Sequence, residues 1–232
     1  MLRTVKNILL TFAHRLGYIV IQKSAFAKKI TESDVNIIKQ EWLDEVVVVS
    51  DRKFVLQKLP KAGCVAEVGV GYGPFSREIL RALEPQKFIA IDLFNGTAKD
   101  RWGKPLAESG LTHLAYYKAQ LVDYLHEAEL ICKEGNSWEQ LAMFEDSYFD
   151  YVYVDADHAY SSVKQDIEVA KRKVKVGGYI QCNDFTFFDT HNMVHYGVPR
   201  AVFELLEEEN YKMKYLCLQN QGYYDVVLQR VN

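Results

Sequence analysis

Cys64-Val65-Ala66-Glu67-Val68-Gly69-Val70-Gly71-Tyr72-Gly73-Pro74 is the stretch on which the fold turns. From Cys64 to Val70 it is apolar apart from Glu67, the pattern of a strand buried on both faces. Three alternating glycines follow, and such a turn lets the backbone bend tightly and come close to a ligand. Pro74 then suits the first position of a helix, where its fixed φ is already helical and its missing N–H is no loss. The spacing is not the dinucleotide fingerprint, because the third glycine of that pattern would fall at Pro74 and stands instead at Gly73.

Downstream, apolar strand-like runs alternate with helical stretches. Strands are expected at Lys87 to Asp92, Glu129 to Cys132, Phe149 to Asp155 and Tyr179 to Asn183. Between them lie helices at Pro74 to Leu83, Leu114 to Leu125, Trp138 to Phe144 and Ser161 to Val174. A helix from Val198 to Glu209 then leads into strands Lys212 to Leu218 and Tyr223 to Arg230, joined by the turn Asn220-Gln221-Gly222 as a closing hairpin. Repeated βα alternation predicts an α/β, doubly wound, mostly parallel sheet, here of seven strands with a C-terminal antiparallel hairpin.

Upstream, Thr31-Glu32-Ser33-Asp34 is a helix start signal for an amphipathic run through Ile37, Ile38 and Trp42, and a second short helix is expected from Asp51 to Leu59. Pro60-Lys61-Ala62-Gly63 breaks the chain. Residues 1–59 therefore read as an N-terminal helical extension and residues 60–232 as the main domain.

With 232 residues, 49% of them hydrophobic and 25% charged, the chain can bury a sizeable core. Thirteen Gly, five Pro and four Cys are too few for a collagen-like, disordered or disulfide-scaffold chain. A formal charge of −3 argues against a general nucleic-acid binder. That charge is segregated: Arg3, Lys6, Arg15, Lys23, Lys28 and Lys29 make residues 1–30 +6 with no acid, leaving −9 for the rest. Cys64, Cys132, Cys182 and Cys217 form no CxxC pair, so neither a structural zinc nor a redox dithiol is indicated, and buried free thiols are expected.

His14 and Arg15 interrupt the apolar N-terminal run, which excludes a secretory signal, and no stretch is long and apolar enough for a transmembrane helix. A cytoplasmic protein is expected. The stripe Val5, Ile8, Leu9, Phe12, Ala13 and Leu16 could lie on the inner face of a membrane as a peripheral contact. It could equally pack on the domain or across a homo-oligomer interface.

Asp92 ends the second strand, 21 residues after Gly71, where an acidic side chain can accept hydrogen bonds from ribose hydroxyls. Glu67 would repel a pyrophosphate but would favour a cationic amino-acid moiety, so the loop suits a nucleoside without phosphates. At this point the chain resembles the class I S-adenosylmethionine-dependent methyltransferases, with their E-x-G-x-G-x-G first motif and Rossmann-like sheet. By that resemblance Glu67, Gly69, Gly71 and Gly73 line the methionine side of the cofactor, Asp92 the ribose, and Asn136, Ser137 and Trp138 the adenine.

A second cluster gathers at the ends of the fourth and fifth strands of the main domain: Asp155-Ala156-Asp157-His158 and Asn183-Asp184. Asp155, Asn183 and Asp184 make a hard, oxygen-rich set of the kind that suits magnesium or another divalent cation. Asp and Asn are also favoured helix caps, so part of the cluster can serve the helices that follow. Asp-Ala-Asp-His-x-Tyr with Gly-Gly-x-Ile-x-x-Asn-Asp is similar to the metal-dependent O-methyltransferases. These include the catechol and caffeoyl-CoA type and the bacterial group of macrocin and other sugar O-methyltransferases. The chain departs from the first type in the order of the Asn183-Asp184 pair and in carrying His158 where a lysine would stand. Asp157 and the stretch Tyr196 to Val202 match the sugar-modifying group better.

The resemblance implies transfer of a methyl group from S-adenosylmethionine to a hydroxyl of a small molecule, a sugar or a phenol. Asp155 would touch both cofactor and metal, and Asp157, His158 or His195 would be the base. The stretch from Asn95 to Gly110, with Trp102, could close over the acceptor, and Phe185, Phe187 and Phe188 either stack on it or fill the core. An NAD-dependent oxidoreductase and a non-catalytic scaffold on the same fold are the competing readings.

Overall fold

The structure is a computed structural model describing residues 38–97, 103–190, 193–219 and 222–232. The basic segment 1–30, most of the helix expected after Thr31, Trp102, and the turn residues Asn220 and Gln221 lie outside the described residues.

The chain enters through a 3-10 turn at Gln40–Trp42, strand β1 (Val47–Val49) and helix α1 (Arg52–Leu56). Asp51 starts α1 by accepting the Lys53 amide on its side chain at 2.8 Å. The βα alternation then runs β2 (Cys64–Val68), α2 (Pro74–Leu83), β3 (Lys87–Asp92), α3 (Lys104–Ser109), α4 (His113–Leu121) and β4 (Glu129–Glu134). It continues with α5 (Ser137–Ala142), β5 (Phe149–Val154), α6 (Tyr160–Lys173) and β6 (Val174–Cys182). A small hairpin of β7 (Phe188–Asp189) and β8 (Val194–His195) precedes α7 (Val198–Leu206), β9 (Tyr211–Cys217) and β10 (Asp225–Arg230).

The main sheet has the order β1-β9-β10-β6-β5-β2-β3-β4. It is parallel except for β10, which runs antiparallel to both β6 and β9. The doubly wound, mostly parallel α/β fold and its antiparallel C-terminal hairpin are thus as the sequence predicts, but the sheet has eight strands rather than seven. The eighth is β1, inside the segment expected to be helical, where Val47, Val48 and Val49 pair with Tyr215, Leu216 and Cys217. Three β-branched residues in succession fit a pleated surface better than a helix. Lys104–Ser109 is also helical where an open stretch was expected, and the β7–β8 hairpin falls where no strand was read.

Alternation along each central strand feeds two apolar layers. Ala66, Ile89, Ile91, Val152 and Val154 face α5, α6 and α7, whereas Val65, Phe88, Ala90, Tyr151 and Tyr153 face α1, α2 and α4. The winding reverses between β2 and β5, since β3 and β4 extend the sheet on one side of β2 and β6 follows β5 on the other. This switch point opens a crevice beyond the carboxyl ends of β2 and β5, where ligands of open α/β sheets bind. Among the described residues no helix is long and apolar enough to cross a membrane. All four cysteines are free, with Cys182 and Cys217 buried.

Candidate active site

A cleft of about 1120 Å³ occupies that crevice. Its floor is the turn after β2. Gly69 has φ +83°, and a β-carbon there would stand 2.1 Å from the Asp155 carbonyl oxygen, so only glycine lets β2 and β5 close together at this level. The seam is sealed by Asp155 N–H donating to the Val68 carbonyl at 2.7 Å and Gly69 N–H to the Ile91 carbonyl at 2.8 Å. The result is bare backbone facing the cleft.

Of the residues expected to hold the cofactor, Glu67, Gly69, Gly71, Asp92, Asn136, Ser137, Trp138 and Asp155 line one cleft. Gly73 does not reach it. It is the N-cap of α2 at φ +83°, backed by the Tyr117 ring, so its part is to start the helix. Asp92 holds the loop itself: one carboxylate oxygen accepts the Val70 and Gly71 amides at 3.0 and 3.1 Å, the other the Phe94 amide at 2.9 Å. A carboxylate has about four acceptor positions, so one remains for a hydroxyl.

Glu67 is buried under the turn, where it accepts a hydrogen bond from the Ser76 hydroxyl, which in turn accepts one from Tyr117 at 3.1 Å. Burial pushes its pKa well above the carboxylate range. Burial thus favours the protonated form of the acid below the floor. The adenine-side residues open α5, and beneath Ser137 lies Asp166 of α6, fully buried with neither oxygen in an aligned hydrogen bond. Burial raises Asp166 to about 6.

The ends of β5 and β6 carry a different chemistry. Asp155, Asn183, Asp184 and His158 are brought together, and Arg52 of α1 joins them. Its Nη1 donates to Asn183 Oδ1 at 2.8 Å and to the Tyr153 hydroxyl at 2.5 Å, and its guanidinium lies over the Phe75 ring at 4.4 Å. Asn183 Nδ2 donates to Asp155 Oδ1 at 2.8 Å. His158 stacks on Tyr196 with ring centroids 4.5 Å apart, and its Nε2 stands 3.1 Å from Asp184 and 3.6 Å from Asp155, at ion-pair distance without an aligned hydrogen bond. The stack depends on Gly197, whose β-carbon would fall 2.1 Å from the Tyr160 Cα and whose N–H donates to the His158 carbonyl.

These contacts change the roles read from the sequence. Burial alone would lower the His158 pKa, but Asp155 and Asp184 more than reverse this and raise it to about 10, so the ring is a cation at neutral pH and holds no free lone pair for a proton. Asp157 accepts the Ser162 hydroxyl at 2.6 Å and the Ala159 amide at 3.2 Å; the Ser162 bond lowers its pKa and makes it a weak base near the start of α6. His195 is exposed on β8 against Phe188, outside the residues that line the cleft. Asp155 is the acid whose basicity rises, through burial. Phe185 packs on the core beside Phe203, as one of its two readings has it.

The expected metal set does not fit a divalent cation. Such an ion needs several free oxygen donors at about 2.0–2.6 Å. The one donor atom of Asn183 already faces a guanidinium, its amide N–H₂ points at Asp155, and His158 stands against the two carboxylates. Among the described residues no group of three or more His, Cys, Asp or Glu side chains could hold a metal ion.

Arg52 escaped the sequence reading because its partners lie 101 and 131 residues away, and no local pattern links an arginine in a short helix to them. A family of proteins described as "Methyltransferase domain" matches residues 66–185, the span from β2 to just past β6. The chain belongs to this family. No curated protein matches it in sequence.

Among solved structures the methyltransferase is similar to a Staphylococcus aureus protein provisionally named a caffeoyl-CoA O-methyltransferase (16% identity, TM-score 0.53, 97% of this chain and 99% of that one). It is also similar to a SAM-dependent methyltransferase from Methanosarcina mazei (14%, 0.52, 79% and 99%) and an rRNA methylase from Streptococcus thermophilus (15%, 0.52, 78% and 94%). Identities this low speak for the fold alone.

Proposed function

We propose that this methyltransferase takes S-adenosylmethionine as cofactor and methylates a hydroxyl oxygen of a small molecule, a sugar or a phenol, as in the macrocin-type O-methyltransferases. One observation carries the cofactor: Glu67, the bare backbone at Gly69 and Gly71, Asp92, Asn136 to Trp138 and Asp155 surround a single cleft at the switch point. Glu67 lies beneath the turn, where a sulfonium or an ammonium above it would favour its ionised form and a pyrophosphate would not.

Held there, S-adenosylmethionine would supply an electrophilic methyl group for transfer to the acceptor oxygen, with S-adenosylhomocysteine as the leaving group. The chain's own residues supply position and charge. Asp155 takes the acceptor's proton, since His158 is charged, Asp157 is a weak base and His195 is outside the cleft. Tyr196 fixes the imidazolium by stacking, and Arg52 faces the cleft on the acceptor side. The divalent cation expected from the sequence has no part in this proposal.

The test is calorimetric titration of the full chain with S-adenosylhomocysteine, followed by turnover of methyl-tritiated S-adenosylmethionine against a panel of sugars, catechols and simple phenols. Micromolar binding with label on an oxygen is expected. Tighter binding of NAD than of S-adenosylhomocysteine would overturn the reading. Label appearing only on an RNA substrate would replace the hydroxyl acceptor.

A further inference from the structure

Arg52 lies on α1, ahead of the glycine turn in the sequence, yet it controls the orientation of a side chain 131 residues away. An amide has an oxygen end and a nitrogen end, and the two neighbours of Asn183 demand opposite ones. Arg52 Nη1 requires the oxygen, at 2.8 Å, and this turns the N–H₂ toward Asp155 Oδ1, also at 2.8 Å. Reversing the amide would set N–H₂ against guanidinium, donor against donor. The arginine is itself held fast: Asp51 caps the helix on which it sits, Tyr153 accepts from the same nitrogen, and Phe75 covers the guanidinium face at 4.4 Å. The guanidinium keeps its charge at any pH a protein tolerates.

We propose that Arg52 is the built-in cation of the acceptor site: it takes the place of a divalent metal and, by aiming the Asn183 amide, keeps metal off Asp155. The oxygen that would ligate is capped by a guanidinium. The oxygen next to it already accepts an N–H. His158 Nε2 stands 3.1 Å from Asp184 Oδ2 and 3.6 Å from that same Asp155 Oδ1, which leaves Asp155 Oδ2 and Asp184 Oδ1 as the two carboxylate oxygens without a partner among the described residues. Beyond its two bonds through Nη1, the rest of the Arg52 fork has no hydrogen-bond partner among the described residues, and the side chain lines the cleft. It can therefore face an acceptor oxygen as negative charge develops there, the electrostatic task a metal would perform. The catalytic consequence rests on the O-methyl transfer reading, but the exclusion of metal does not.

The experiment is a manganese titration of the full chain followed by electron paramagnetic resonance of free Mn²⁺, with and without S-adenosylhomocysteine. Wild-type protein is expected to leave Mn²⁺ free up to about millimolar concentration, since Arg52, His158 and the Asn183 N–H₂ crowd the site and leave too few oxygens for its shell. One tightly bound Mn²⁺ per chain that Asp155→Asn removes would overturn the proposal. Arg52→Met frees the Asn183 oxygen and should tighten Mn²⁺ binding at least tenfold, whereas Arg52→Lys, which keeps a cation, should not. An unchanged affinity in folded Arg52→Met, judged by its melting curve, would also overturn it. Should the methionine variant fail to fold, Asn183→Asp is the second route: a new carboxylate beside Arg52 that still leaves Mn²⁺ free supports the arginine as the resident cation, and stoichiometric binding opposes it. Failure to bind S-adenosylhomocysteine would sink the cofactor reading while leaving the manganese result intact.

Discussion

The two walls of the cleft are built in opposite ways. The β2 wall is mostly backbone: glycines at positive φ, amides gathered on the Asp92 side chain, and beneath them Glu67, whose pKa burial raises. The wall at the ends of β5 and β6 is side chain: Arg52, Asp155, His158, Asn183 and Asp184 neutralise one another across distances of 2.8 to 3.6 Å. The first wall tolerates no added atom at Gly69, where its backbone packs against Asp155. The second has room for substitution, yet each change leaves a neighbour's charge or polar atom unmatched.

The largest effect should break the backbone wall. Gly69→Ala would force a β-carbon to within 2.1 Å of a carbonyl oxygen at φ +83°, at a cost of ~3 kcal/mol or more from strain alone. Thermal melting should show that loss, and S-adenosylhomocysteine affinity should fall at least a hundredfold. Affinity within threefold of wild type would mean that the turn is not the cofactor floor.

Asp166 lies below the cofactor wall and tests burial without an aligned hydrogen bond. Its folded pKa, about 6, exceeds its unfolded value, so the folded state holds its proton longer and stability falls as pH rises from about 4 to 6. Asp166→Asn should remove that loss and stabilise the protein at pH 7 by about 1–3 kcal/mol in urea denaturation, with no gain near pH 3.5. A destabilised variant at pH 7 would mean that the acid has a partner that needs its charge.

On the charged wall, nuclear magnetic resonance of the His158 ring should find it protonated until pH about 10. The ion pair stabilises the fold below the ordinary histidine pKa, and this is lost as pH rises through about 10. In Asp184→Asn the midpoint should move back toward the ordinary histidine range; a midpoint unmoved would assign the shift to Asp155 alone.

The smallest effect concerns Glu67, the buried acid of the backbone wall. A cationic ligand above it should draw off its proton, so wild-type affinity for S-adenosylmethionine should rise with pH across the range in which Glu67 ionises. Glu67→Gln should bind several-fold more weakly at high pH, with a flat pH profile. Calorimetry in buffers of different ionisation enthalpy would count the released proton, and a count of zero in wild type would refute the link.

The two walls also differ in how legible they were. The β2 wall is local: Glu67 to Pro74 is one strand, one turn and one helix start, and each residue's role follows from its backbone conformation and its neighbours in sequence. The charged wall was legible only as an inventory. Asp155, His158, Asn183 and Asp184 stood out as polar residues at strand ends, but which would ligate, pair or accept a proton depends on a guanidinium from α1, more than a hundred residues away in sequence. His195 shows the opposite error: a histidine near the site in sequence, carried away from it by the β7–β8 hairpin.

By itself, then, the sequence determined the doubly wound sheet, the glycine turn and the crevice that the turn floors, because periodicity, glycine conformation and strand-end position are properties of short stretches of chain. Only the tertiary structure decided the eighth strand, the arrival of Arg52 beside Asn183 and the charge on His158. The reason is physical: a hydrogen bond reaches about 3 Å and a charge acts through the medium around it, so neither has a value until the fold fixes which residues are neighbours and how deeply they are buried.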